Sequence, residues 1–356
     1  MITRSRQVAL ALTAVLTAGA ACQAHDREPS PGRPAPPPKD AGAFTLVASG
    51  DVLPHDSVIE RARFDAGGGS GYDFRPMLAG IAPVVSRADL ALCHLETAEF
   101  PPEAAAGLAA TGYDGCSTAA GHGPDDGGAG LRRTLDALDR AGVRHAGAAR
   151  DEREARTVTV LRAGGAEIAH LAYAHGTDLR ARVPADAAAA REAGADVVVV
   201  SLRWGTEWQE APDERQRSLA RALTAARTAG RPAVDLIVGG HAHVPQAYEK
   251  VNGTWVVYGT GDQVAGEMIN DAGVPDPRGN QSTLGRFTFA PPARPGGRWK
   301  VTRAEFVPQL FDVDAGRVVN LNRALAQGAE VRAVRDRVRD VVLGRGAAED
   351  GLTMGE

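Results

Sequence analysis

From Phe44 onward the chain alternates short apolar runs with amphipathic stretches, the pattern of strands that alternate with helices. Phe44 to Ala48 reads as a strand, Pro76 to Val85 as a helix, and Ala88 to Leu92 as the next strand. A short helix before Gly112 leads to a strand over Asp114 to Thr118. The helix Ala129 to Ala141 follows, with Leu131, Leu135 and Leu138 on one face. Strands are predicted at Arg144 to Ala146, Thr157 to Arg162 and Glu167 to Tyr173. Val197 to Leu202 is apolar except for Ser201, as expected of a strand covered on both faces.

Arg215 to Thr228 has helical spacing and hands over to a strand at Val234 to Val238. The pattern then changes to a predicted antiparallel meander: Ala247 to Val251, Thr254 to Tyr258, Gly285 to Ala290 and Trp299 to Val307, with a hairpin turn at Asn252-Gly253. Mixed strands with helices outside them predict an α/β fold, two sheets face to face between helical layers in a four-layer αββα sandwich. The expected domain runs over residues 44–310, with residues 311–356 as a helical extension whose polar helix spans Leu321 to Val341.

The first residues differ in kind. Arg4 and Arg6 precede the apolar run Val8 to Leu16, then small residues lead into Cys22, so residues 1–25 read as an export signal. The small residues before Cys22 suggest lipoprotein processing, in which that cysteine is acylated and holds the protein on the outer membrane face; simple cleavage and secretion is the alternative. Residues 26–43 carry six prolines and read as a linker. In an oxidising compartment Cys93 and Cys116 remain as an even pair at the ends of neighbouring strand-like runs, either joined or present as two buried thiols.

Composition narrows the field only a little. With 44% hydrophobic and 24% charged residues in 356, the chain is ordinary for a globular protein, and its 42 glycines and 22 prolines point to long loops. A net charge of -4 and the lack of a basic stripe argue against nucleic acid as a partner. Nothing in the pattern indicates an oligomeric state.

Candidate chemistry lies at the carboxyl ends of the strands, where α/β folds collect it. Gly50-Asp51 follows the first strand, with His55 and Asp56 behind it, and His94-Leu95-Glu96-Thr97 follows the second. The third leads to His122 on a glycine-rich loop, the strand through Leu202 to Arg203-Trp204-Gly205-Thr206-Glu207, and Tyr258 to Gly261-Asp262. Val234 to Val238 ends in Gly239-Gly240-His241-Ala242-His243, where two glycines let both imidazoles turn toward one point. Asp51, Glu96, His122, His241 and His243 form a mixed carboxylate and imidazole set suited to one or two divalent ions such as Zn, Mn or Fe.

Over about Phe44 to Val307 the chain resembles the CapA family of poly-γ-glutamate capsule biosynthesis proteins, which share the calcineurin-like metallophosphoesterase fold. The resemblance is carried by Ser49-Gly50-Asp51-Val52, Asp89 to Thr97, the Ser117 to His122 loop, Trp204 to Glu207 and Gly240 to Val244. It implies a metallophosphoesterase-like sandwich, a metal-assisted hydrolase or transferase site, and an anionic cell-surface polymer as partner. Asp51, Glu96, His122, His241 and His243 are the candidate metal ligands, His122 and Arg203 the candidate catalytic groups, and His94, Arg203, Trp204, Glu207 and Asp262 the candidate substrate contacts.

Three positions depart from the family pattern. Gly121-His122 stands for Asn-His, Arg203-Trp204-Gly205 for His-Trp-Gly, and Gly261-Asp262 for Gly-Asn. A guanidinium has no lone pair to give, so Arg203 is no metal ligand. Two readings follow: an altered hydrolase that keeps a metal and uses Arg203 as a fixed positive charge, or an inactive surface protein that binds the polymer.

Overall fold

The computed structural model describes residues 42–67, 71–97, 100–119, 128–174, 178–294 and 297–356. The export signal, Cys22 and most of the linker lie outside them, as do His122 and its loop.

Among the described residues, the strands β1 (Phe44–Val52), β2 (Leu90–Leu95), β3 (Gly115–Ser117) and β4 (Arg144–Ala146) run parallel through one half of the first sheet. Between them pack α1 (Asp56–Asp65), α2 (Arg75–Leu78), α3 (Ala82–Val85), α4 (Pro102–Thr111) and α5 (Ala129–Ala141). After the short α6 (Glu152–Ala155), the second sheet begins with β5 (Thr159–Ala163), β6 (Ala166–Tyr173) and β7 (Val197–Arg203), covered by α7 (Leu179–Glu192) and α8 (Glu214–Ala225). A two-residue pair, β8 (Arg227–Thr228) and β9 (Arg231–Pro232), precedes β10 (Leu236–Gly240), β11 (Tyr248–Val251) and β12 (Thr254–Val257). The chain then returns to the first sheet with β13 (Asp262–Val264), β14 (Gln281–Ala290), β15 (Lys300–Asp312) and β16 (Arg317–Asn320). It closes with α9 (Leu321–Ala326), α10 (Arg332–Leu343) and β17 (Leu352–Met354).

Strand alternation explains the layers. In β2, Leu90 and Leu92 face inward with Leu46 of β1, Val197 and Val199 of β7, and Leu236 of β10, forming one core between the two sheets. Their neighbours Ala91, Cys93 and Leu95 face outward onto α1 to α5, where Val58, Met77, Leu108, Leu135 and Leu138 are buried. On the other side Val198 and Val200 meet Val183 and Ala187 of α7 and Leu223 of α8. Three cores thus separate four layers, the predicted αββα arrangement. Each fully buried aliphatic side chain in them contributes on the order of 1.5–3 kcal/mol.

Several expectations are corrected by long-range pairing. The four strands expected as one meander divide between the sheets, because β12 pairs in parallel with β10 while β14 and β15 pair beside β1. The helix expected over Pro76 to Val85 is two short ones, and Gly80 between them lies so close to the Val318 carbonyl that a Cβ there would sit 2.1 Å from its oxygen. The helix α7, with Pro184 inside it, had no counterpart in the sequence reading.

Residues 311–356 do more than append a helix. β16 and β17 both pair with β15, and Val338 and Val342 of α10, four residues apart, bury themselves in the core between the sheets. The arginine-rich surface of α10 hides this pair in a sequence scan. No helix among the described residues is long and apolar enough to cross a membrane. Cys93 and Cys116 are register partners on β2 and β3, and their sulfurs are bonded.

Candidate metal centre

The inward-facing rows that build the central core turn polar at their carboxyl ends. In β2 the row Leu90, Leu92 continues to His94 and Glu96; in β7 the row Val197, Val199 continues to Ser201 and Arg203. Because the two sheets stack face to face, Glu96 and Arg203 meet between them. Arg203 Nη2 donates to Glu96 Oε1 at 2.8 Å, and both side chains are more than nine-tenths buried.

Asp51 reaches the same place through an irregularity. Strict alternation from Leu46 and Ala48 would send Asp51 to the outer face, but β1 carries a bulge between Ala48 and Asp51 relative to β2. The extra residue puts Asp51 in register with His94, facing inward. Gly240, in register with Arg203, leaves the room: a Cβ there would lie 2.4 Å from Asp51 Oδ1. Asp51 Oδ2 accepts from the His241 backbone N–H at 2.8 Å.

The turn after β10 is held in a costly backbone conformation. His241 and His243 have φ of 88° and 60°, in the left-handed region that non-glycine residues seldom occupy. Alternate left-handed residues break the pleat and bring both rings to one side, with centroids 6.1 Å apart. The Trp208 backbone N–H donates to the Ala242 carbonyl at 2.9 Å, which ties the loop carrying Glu207 to this turn.

His243 Nδ1 lies 3.0 Å from Asp262 Oδ2, and β13 places Asp262 beside Asp51. Burial works against charge on His243, but Asp262, Glu96 and Asp51 outweigh it and raise its pKa to about 10. Burial in turn pushes Asp262 up, to about 8, against the pull of His243. The carboxylates around the ring hold the imidazole in its protonated form when no cation is bound.

Two sets of side chains bring potential ligand atoms within 4.8 Å of one another: Glu96 with His241 and His243, and Asp51 with Glu96 and Asp262. Asp51 Oδ1 and Glu96 Oε2 are buried without a hydrogen-bond partner among the described residues. A buried carboxylate oxygen left so is costly, and a cation satisfies it. The donor set of carboxylates and imidazoles fits a borderline divalent ion.

Of the residues expected from sequence, Asp51, Glu96, Arg203, Glu207, His241, His243 and Asp262 converge here. His122 lies outside the described residues. Trp204 faces the other way: it is buried on the outer side of β7, donates from Nε1 to the Tyr258 carbonyl at 2.8 Å and stacks on that ring, so it supports the sheet and does not touch the cleft. Asp262 is fully buried behind His243 and faces its Nδ1. His94 lies beneath the site, buried beside the cavity lined by Ser49, Asp51 and Ser201.

Above the ligand set opens a cleft of about 840 Å³ lined by His55, Asp56, Glu96, Glu207, Trp208, His243 and Met268, among others. His55 Nδ1 accepts from the Gly266 N–H at 2.9 Å, which leaves its proton on Nε2, and burial lowers its pKa.

One group escaped the sequence reading. His170 of β6 is fully buried between the sheets with Nε2 2.9 Å from Ser201 Oγ, and inward parity with Ile168 would have located it. Burial, with His94 nearby, pushes its pKa down to about 4. The unfolded chain binds this proton near pH 6.5 and the folded one only near 4, so its contribution is complete above 6.5 and is lost as pH falls through about 4. Between pH 7.5 and 4.5 the loss comes to roughly 2.5 kcal/mol. Urea unfolding of His170→Gln should show a pH dependence shallower by that amount; parallel curves for the two proteins would refute the assignment.

Comparison with known proteins returns one family profile, Bacterial capsule synthesis protein PGA_cap, over residues 45–267. Among curated relatives, the PGA biosynthesis protein CapA of Bacillus subtilis (strain 168) is 36% identical over 100 residues, 27% of this chain and 25% of that protein. The capsule biosynthesis protein CapA of Bacillus anthracis is 25% identical over 171 residues, 43% of this chain and 40% of that protein. The matches thus span a quarter to two-fifths of those relatives. A solved structure of a hypothetical protein from Thermus thermophilus aligns at TM-score 0.46 and 14% identity, covering 74% of this chain and 98% of that one.

Proposed function

This chain belongs to the bacterial capsule synthesis protein family, whose profile spans every described ligand of the site, and from that premise we propose that it is a metal-dependent hydrolase of a capsule polymer. The polymer class is poly-γ-glutamate or a related anionic chain, the class in which its relatives are named. The observation that carries the reading is the convergence of Glu96, His241 and His243 from the two sheets, with a buried carboxylate oxygen of Glu96 left for a cation.

A divalent ion, Zn, Mn or Fe, supplies Lewis acidity at that point when bound. The chain's own groups do the rest. Asp262 holds His243 by Nδ1 and so presents Nε2 toward the ligand set, the usual way a protein fixes a ligating imidazole. Asp51 fixes the backbone at His241. Arg203 holds Glu96 in place and offsets part of the carboxylate charge. His55, with its proton on Nε2, is a donor at the rim of the cleft. Attachment by a lipid on Cys22, at the outer face of the membrane, would place this cleft where an exported polymer passes.

A second reading has its own observation. Arg203 is committed to Glu96 in the interior and so occupies an oxygen that a metal would use, which favours a cleft that holds the polymer without cleaving it. The test is incubation of the purified chain with poly-γ-glutamate of defined length and Mn or Zn, following chain length by gel filtration and new amino ends by labelling. Shortening that stops on chelation supports the hydrolase. Metal uptake and polymer retention without shortening select the binding protein.

A further inference from the structure

We infer that the centre takes a single divalent ion at Glu96, His241 and His243, that Glu207 is its fourth ligand, and that the Arg203–Glu96 pair closes the second position. This rests on the metal-dependent reading above. A four-coordinate ion with bonds of about 2.1 Å holds its ligand atoms roughly 3.4 Å apart. Glu207 Oε1 lies 3.6 Å from His241 Nδ1 and 3.9 Å from His243 Nε2, and Glu96 joins the set through its Oε2, unpartnered among the described residues. These separations are already close to those of a shared coordination sphere.

The position of Glu207 is built. Its loop is bonded to the histidine turn through the Trp208 N–H and the Ala242 carbonyl, and Trp208 carries φ 64° at that contact, with its ring 5.9 Å from His243. The side chain is 41% exposed, so it faces the cleft and can move a few tenths of an ångström without disturbing the core. Glu96 Oε2, buried without a partner among the described residues, supplies the independent sign that a cation belongs here.

The other set, Asp51 with Glu96 and Asp262, keeps Asp51 Oδ1 and Glu96 Oε2 unpartnered among the described residues but contains no imidazole, and its remaining oxygens are engaged. Both Asp262 oxygens face His243 Nδ1, at 3.0 and 3.3 Å. Asp51 Oδ2 is taken by the His241 N–H. Glu96 Oε1 is held by a guanidinium, whose fixed charge repels a second dication at this distance.

The test is metal titration of the full chain, stripped with chelator and reloaded with Zn or Mn, read by elemental analysis and calorimetry. The expected result is one equivalent. Glu207→Gln should keep that stoichiometry and weaken binding 10- to 100-fold, while Glu267→Gln, on the exposed wall of the same cleft, should leave affinity within twofold. Glu207→Asp, which keeps the carboxylate, should recover part of the loss. Two equivalents in the unaltered chain, or an affinity unchanged in Glu207→Gln, overturns this inference and leaves the hydrolase reading standing. No binding at all in the folded, unaltered chain overturns both.

Discussion

Replacing His241 and His243 together by asparagine abolishes divalent-metal binding while the fold survives. Asparagine is chosen for a backbone reason: both positions have positive φ, which Asn tolerates better than Ala, so the ligands are removed without added strain. An amide at position 243 can still donate to Asp262, which spares that buried carboxylate its loss of a partner. Loss of two imidazoles from a site of three or four ligands lowers affinity well beyond the roughly 100-fold that supporting residues command. In the unaltered chain, metal at a hundred times its Kd raises stability by about 2.7 kcal/mol. The variant should show no such rise in a thermal melt with and without Zn or Mn. A metal-dependent shift equal to that of the unaltered chain would exclude the histidine pair as ligands.

The second large effect lies away from the site and measures what holds the second sheet to its helices. Arg191 of α7 and Asp235 before β10 form an ion pair with both side chains at least 95% buried. Asp235 Oδ2 also accepts from the Val198 N–H at 3.0 Å, and Arg298 Nε lies 3.5 Å from Oδ1. Burial pushes the Asp235 pKa up, and Arg191 is the strongest of the groups that pull it back down. Arg191→Leu strands the charge, and breaking a buried pair from one side costs about 3–5 kcal/mol. Arg298 softens this only in part.

Arg191→Leu combined with Asp235→Leu should recover much of the loss, because no uncompensated charge remains. Urea unfolding of the two single variants and the double one gives the cycle. A single variant within 1 kcal/mol of the unaltered chain would show that the pair is not a structural tie. Metal uptake should be the same in all three, since the pair lies on the outer side of the second sheet, where Val198 and Ile237 face the helices.

Much of this was legible beforehand, and the reasons are local. Period-two alternation in β2 and β7, and the helical spacing of Leu131, Leu135 and Leu138 in α5, are properties of a few consecutive residues. So is the clustering of polar groups after each strand. The meander failed because Thr254 to Val257 looks the same beside β10 as beside β14; only pairing distinguishes them. Trp204 failed because a strand end offers two faces, and the side chain of Trp204 takes the one away from the cleft.

The sequence by itself determined the layer order, the strand ends that carry chemistry, and the histidine turn enabled by Gly239 and Gly240. The tertiary structure alone decided which of those groups meet. Asp51 faces inward only because a bulge shifts its register against a strand about forty residues away. Glu96 is held by a residue 107 positions later, and His243 by Asp262, which arrives on a strand returned to the other sheet. Periodicity assigns a side chain to a face, but burial energy is indifferent to which polar group stands opposite. That choice is made by sheet stacking and register, and it turns a set of strand-end carboxylates and imidazoles into one centre.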